Sequence, residues 1–256
     1  MMLTKFAVSA VTAGVLMSAS PFSSAHAQDS LSDAQKAQIE NMIRDYVLQN
    51  PEIVRDALIS LERQQIAQQA EQQKQILSAR NDEIYNSASD FVAGNPQGDV
   101  TLVEFFDYNC GYCRKALPDL NALLETDPNL RVVLKEFPIL GPGSLEAARL
   151  AVAAIGQGKY LDYHRALLSS RGQVDKARAL EVAKEIGLDV ARLEEDAKAA
   201  EINQTLRGTH NLSTALNING TPSYVLGDEI IPGAIGVDEL KSKIAALREK
   251  QAKQSN

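Results

Sequence analysis

The stretch FFDYNCGYCRK, residues 105–115, holds both cysteines of the chain, Cys110 and Cys113, with Gly111 and Tyr112 between them. A structural zinc site needs about four ligands in a tetrahedron. This pair supplies two, and His26, His164 and His210 stand at no zinc-finger spacing from it. A bridge across two intervening residues closes a tiny loop and removes little unfolded-chain entropy, so a structural staple gains little. A redox-active dithiol is the natural reading, provided that a strand precedes the pair and a helix comes after it.

The flanking sequence meets that condition. TLVEFFDY, residues 101–108, is a short run of β-branched and aromatic residues and reads as a buried strand. A helix is predicted from about Cys110 to about Glu125, bent at Pro118. RVVLKEFPI, residues 131–139, is the next strand, which opens a parallel α/β unit. From Ser144 to about Leu216 the pattern is a series of short helices punctuated by Gly156, Gly158, Gly172 and Gly187. NINGTPSYVLGDEIIPG, residues 217–233, reads as a strand from Ser223 to Leu226, a turn at Gly227-Asp228 and a strand from Glu229 to Ile231. A closing helix is predicted from Val237 to about Glu249.

The first 30 residues carry Lys5, an apolar run from Phe6 to Met17 and the pattern Ala25-His26-Ala27. This is a secretory signal with Gln28 as the first mature residue. The apolar run is shorter than the about 20 residues that span a bilayer. The mature chain is therefore expected to be soluble and periplasmic, where disulfide chemistry is permitted. A formal net charge of −7 argues against nucleic acid as a partner.

Residues 31 to about 84 differ in composition from the rest of the mature chain, with no glycine and a single proline. Ser32 and Gln35 stand at capping-box positions, and Asn50-Pro51 separates two helices. Ile39, Ile43 and Val47, then Val54, Leu58 and Leu61, form apolar stripes that either a partner chain or the rest of the same chain must cover. QQIAQQAEQQKQ, residues 64–75, is too polar for a deep core and reads as a solvated stalk, a coiled-coil seam or a partly disordered spacer.

Thiol exchange proceeds through the thiolate. Free N–H groups at a helix start favour an anion there, which points to Cys110 as the attacking group. Cys113, less than one turn on and more buried, resolves the mixed disulfide. Glu104 is a lone carboxylate in an apolar strand, on the face shared by Leu102 and Phe106; desolvation there raises its pKa. Asp107 and Tyr108 are placed on the rim of the site, and His164 and His210 are read as packing or surface residues.

The segment FFDYNCGYCRK, with strand before and helix after, resembles the DsbA-like group of exported thiol–disulfide oxidoreductases with the thioredoxin fold. The resemblance covers about residues 90–250 and implies an α/β thioredoxin fold with a helical subdomain inserted at about 144–216. It implies a cis-proline loop at Thr221-Pro222 that faces the dithiol and, with Gly111 and Tyr112, contacts substrate. It also implies that Glu104 exchanges the proton of the buried cysteine, paired with Lys135 on the neighbouring strand. SLSDAQKAQIENMIRDYVLQNPEIV, residues 30–54, is similar to the N-terminal segment of the ScsC group, members of which oligomerise through it, and some of which isomerise disulfides. The expected organisation is thus a signal peptide (1–27), a helical oligomerisation extension (28–84) and a catalytic domain (85–256). No metal or cofactor is expected beyond the Cys110–Cys113 couple. The expected partners are unfolded or misoxidised exported proteins, a membrane thiol–disulfide electron-transfer protein and further copies of the chain. An oligomeric disulfide isomerase is the leading function; a monomeric dithiol oxidase and a non-enzymatic envelope adaptor or chaperone are the alternatives.

Overall fold

The computed structural model describes residues 31–254. The expected signal peptide, with its cleavage pattern and His26, lies outside the described residues. The chain divides into two compact units, one ending at Leu61 and the other beginning at Glu62.

The first unit contains helix α1 (Asp33–Gln49) and the opening of helix α2 (Pro51–Ala79). The Gln35 N–H donates to the Ser32 hydroxyl, and the Ser32 N–H donates to the Gln35 carboxamide oxygen. This closes the capping box and satisfies two backbone donors that a helix start leaves free. Asn50 ends α1, and Pro51, with no N–H to lose, opens α2. Ile39, Ile43, Val54, Leu58 and Leu61 are exposed, and α1 contributes no buried residue.

The second unit is built on a sheet of β1 (Phe91–Gly94), β2 (Val100–Phe106), β3 (Leu130–Glu136), β4 (Ser223–Leu226) and β5 (Glu229–Pro232). Their spatial order is β1-β3-β2-β4-β5, with β2 and β3 parallel and the other neighbours antiparallel. Helix α3 (Asn81–Tyr85) precedes the sheet, and α4 (Gly111–Thr126) crosses from β2 to β3. Five α-helices separate β3 from β4: α5 (Pro142–Ala154), α6 (Tyr160–Ser169), α7 (Lys176–Glu185), α8 (Val190–Asp196) and α9 (Ala200–Ala215). They occupy the place expected of the helical insertion. Helix α10 (Val237–Gln254) comes after the sheet. Strand β1 went unread in the sequence because four residues are too few to show alternation; its register against Arg131–Leu134 of β3 defines it.

Period-two alternation sorts the sheet into two faces. Leu102, Phe106, Val132, Leu134 and Tyr224 pack with Cys113, Leu117 and Leu120 of α4 and with the insertion. Val103, Phe105, Val133 and Val225 pack with Leu77, Ile84, Leu212, Leu216 and Ile218. Leu77 of α2 and Ile84 of α3 therefore belong to the core of the second unit. The expected boundary at 84/85 falls inside that unit, because one buried leucine in a glutamine-rich helix leaves no periodic signal.

Candidate active site

Strand β2 aims residues 107–110 at the start of α4, where Cys110 takes the N-cap position with extended backbone angles. Both cysteines are free thiols, and they approach to 3.5 Å. Cys110 is 6% exposed and Cys113 fully buried. Tyr112 projects into solvent beside them, and Gly111 is exposed with open space around its α-carbon. The Thr221–Pro222 bond is cis, and the Cys110 thiol donates to the Thr221 carbonyl at 3.0 Å. The structure thus brings Cys110, Cys113 and Thr221-Pro222 together. Pro118 lies inside α4, where it withholds an N–H from the carbonyl one turn back.

Glu104 is 2% exposed, and its Oε2 has no hydrogen-bond partner among the described residues. Burial, with Asp119 adding to it, pushes its carboxyl up to about 8. Burial also pushes the Cys113 thiol far above its ordinary value, and the Glu104 charge contributes next. Glu104 and Cys113 are therefore electrostatic neighbours beneath the exposed end of the dithiol.

Lys135 does not join them. In the β2–β3 register Glu104 pairs with Leu134, while Lys135 pairs with Phe105 and points through the opposite face. Its ammonium donates to Asp90 and to the Glu83 carbonyl, the latter at 2.7 Å. The expected Glu104–Lys135 pair is corrected to a buried Asp90–Lys135 pair, because parallel neighbours one residue out of step occupy different faces of the sheet. Burial pushes the Asp90 carboxyl up even against the pull of Lys135.

Asp107 and Tyr108, expected on the rim, are both 1% exposed. The Asp107 carboxylate accepts the N–H groups of Asn109, Ile139 and Leu140 and the Ser144 hydroxyl, at 2.7–2.9 Å. Tyr108 and Tyr160 both donate to Glu136 Oε1 at 2.7 Å. His164 is buried against Phe106, Tyr108 and Tyr160, and burial lowers its pKa to about 3. His210 is exposed.

Three further residues that sequence reasoning passed over hold the loop in place. The Asn109 carboxamide donates to Ser144 Oγ and the Val174 carbonyl and accepts the Val174 N–H. Arg114 donates to the Tyr108 carbonyl and, at 2.7 Å, to the Gly172 carbonyl. Glu136 ties Tyr108 to Tyr160 of the insertion. A polar residue next to each cysteine, and an acid ending an apolar strand, were the available signals. What those side chains bind lies in distant sequence.

Glu104 and Glu136 share a pH signature. Burial raises both to about 8, from an ordinary 4.5. A carboxyl raised in the fold contributes stability that is complete below about pH 4.5 and is lost as pH rises through about 8. The reduced protein is expected to lose stability from pH 5 to pH 8, each carboxyl contributing a slope of up to about 1.4 kcal/mol per pH unit. Glu104→Gln should flatten that slope in urea titrations across this range; equal slopes for variant and parent would remove the assignment.

Comparison with known proteins agrees with this geometry. Residues 101–245 match the DSBA-like thioredoxin domain, and residues 35–68 match the copper resistance protein ScsC N-terminal domain. A thioredoxin-like oxidoreductase from Silicibacter pomeroyi DSS-3 is 43% identical, with a TM-score of 0.65, over 66% of this chain and 97% of that one. Proteus mirabilis ScsC, in a transitional conformation, is 29% identical with a TM-score of 0.64, over 86% of this chain and 98% of that one. Among curated proteins, the Na(+)/H(+) antiporter NhaA 1 of Salinispora arenicola is 29% identical over 163 residues, which is 61% of this chain and 24% of the antiporter. The chain thus spans about a quarter of the length of the curated relatives it matches. With a buried dithiol at a helix start, a cis-proline loop against it and a helical insertion in the sheet's frame, the chain belongs to the DsbA-like thioredoxin-domain family, and it is ScsC-like at its N-terminal helices.

Proposed function

We propose that this protein is an exported thiol–disulfide oxidoreductase that works as an oligomeric disulfide isomerase. Cys110 attacks a client disulfide as thiolate; a Cys110–client S–S bond forms, and the departing client sulfur leaves as a thiolate that takes up a proton. A second client thiolate then attacks the client sulfur of this mixed disulfide, which forms the rearranged client disulfide and returns the Cys110 thiolate. When no client thiol arrives, Cys113 gives its proton to Glu104 and attacks Cys110 Sγ. That closes the Cys110–Cys113 disulfide and releases the client sulfur as a thiolate, which takes up a proton from water. A membrane thiol–disulfide partner reduces the pair again. Lys135 is left out of this chemistry and holds Asp90 instead.

The exposed apolar face of α1 and early α2 carries the isomerase reading. Ile39, Ile43, Leu58 and Leu61 are open to solvent in the single chain, and exposed apolar patches mark association surfaces. Tethering two or more dithiols raises the effective concentration of the second contact with a client. That is what capture of a wrong disulfide followed by a second attack requires.

The decisive comparison is between the chain from Gln28 and a chain from Glu62. The longer form is expected to run as two or more copies at micromolar concentration and to recover activity from a scrambled disulfide protein. The shorter form should run as a monomer, keep exchange with small disulfides and lose about 10²-fold in scrambled-protein repair, the low end of the avidity range. If the longer form is a monomer, the reading reverts to a monomeric dithiol oxidase.

A further inference from the structure

A groove of about 760 Å³ runs between α2 and the segment that ends in the cis-proline loop. All of it lies within the second unit. One wall is a single face of α2, Gln69, Gln72, Gln73 and Ile76, at helical spacing. The other includes Asn219 and Thr221. Leu77, buried with Leu212, Leu216 and Ile218, anchors the helix beside the groove. The glutamine-rich stretch, read from the sequence as a solvated stalk, a coiled-coil seam or a partly disordered spacer, is helical, and one face of it, from Gln69 on, lines this cleft. Its lining includes Thr221, whose carbonyl accepts the Cys110 thiol.

The lining has two properties that name its occupant. No Asp, Glu, Lys, Arg or His side chain contributes to it. The carboxamides of Gln69, Gln72 and Gln73 have no hydrogen-bond partner among the described residues. A carboxamide offers two donors and an acceptor on one planar group, and so matches a peptide bond whichever side chains flank it. Strand β5 ends the sheet alongside, so one side of its backbone has no strand partner.

We propose that this groove binds an extended, unfolded stretch of client polypeptide through its main chain and delivers a neighbouring client cysteine to Cys110. The glutamine face of α2 is the sequence-tolerant part of the site, and the absence of fixed charge lets acidic and basic segments enter alike. The proposal rests on the thiol–disulfide reading for its purpose, but not for its test.

The test is binding of a fluorescent, permanently unfolded polypeptide whose cysteines are blocked by carboxamidomethylation, measured by anisotropy on the full chain. Gln69→Ala/Gln72→Ala/Gln73→Ala should weaken binding about tenfold. The variant should fold, since alanine is the better helix former at exposed positions, and its exchange rate with oxidised glutathione should not change. Gln72→Glu should create a preference for basic over acidic peptides that the parent lacks. Unchanged binding in the triple variant, or no charge preference in Gln72→Glu, would overturn the proposal. So would occupation of the groove by a second copy, seen as a loss of solution mass in the triple variant with peptide binding intact. Because the probe has no reactive sulfur, a parent chain that exchanges thiols but does not bind the probe would fail this proposal alone, and one that binds the probe but does not exchange would fail the thiol–disulfide reading alone.

Discussion

Cys110→Ser is expected to lower exchange with a disulfide peptide by at least about 10³-fold, as removal of a covalent nucleophile does. Cys113→Ala should leave the first attack intact and accumulate mixed disulfides with clients. The asymmetry comes from the positions of the two sulfurs. Cys110 caps α4, keeps a little exposure and faces Thr221, whereas Cys113 is wholly enclosed. Burial, then the charge of Glu104, hold Cys113 as the thiol, and the thiol is the unreactive form. Closing the couple therefore needs a base for the Cys113 proton, and Glu104 is the carboxyl beside it. Brief alkylation of the reduced protein at mildly acidic pH, with peptide mapping afterwards, should find the label on Cys110. Label on Cys113 would reverse the roles.

Lys135→Met is expected to destabilise the second unit by about 3–5 kcal/mol, the range for removing one partner of a buried ion pair. Asp90 and Lys135 have side chains only 4% and 2% exposed, so water cannot replace the lost ammonium. Asp90→Asn added to Lys135→Met should recover most of the loss, because the unpaired charge, more than the missing bond, is what costs stability. Urea unfolding of the parent, the single variant and the double variant measures this. A loss under about 1 kcal/mol would show that the pair is solvated, and a lowered exchange rate in folded Lys135→Met would return Lys135 to the chemistry.

The two substitutions mark different limits of sequence reading. CGYC between an aromatic strand and a helix, Ser32 with Gln35, Asn50-Pro51 and the hairpin around Gly227-Asp228 are all local patterns. Each was legible because the physics that selects it acts over a few residues. The Glu104–Lys135 pairing failed for the opposite reason. It depends on the register of two strands about 30 residues apart, and a shift of one residue exchanges the faces of the sheet. Tyr108 was read as a rim residue because it is polar and near the cysteines, yet its hydroxyl turns inward to Glu136.

The amino-acid sequence alone determined the dithiol at a helix start, the helical insertion and the cap and break that shape α1 and α2. Backbone donors at helix starts, proline and alternation impose these wherever the chain sits. The tertiary structure decided which acid holds Lys135, where the Tyr108 hydroxyl binds, and that a glutamine-rich helix lines one groove with the cis-proline loop. Those outcomes turn on which distant side chains share one desolvated space, and burial in that space, more than residue type, sets the charge on Glu104, Glu136 and Cys113.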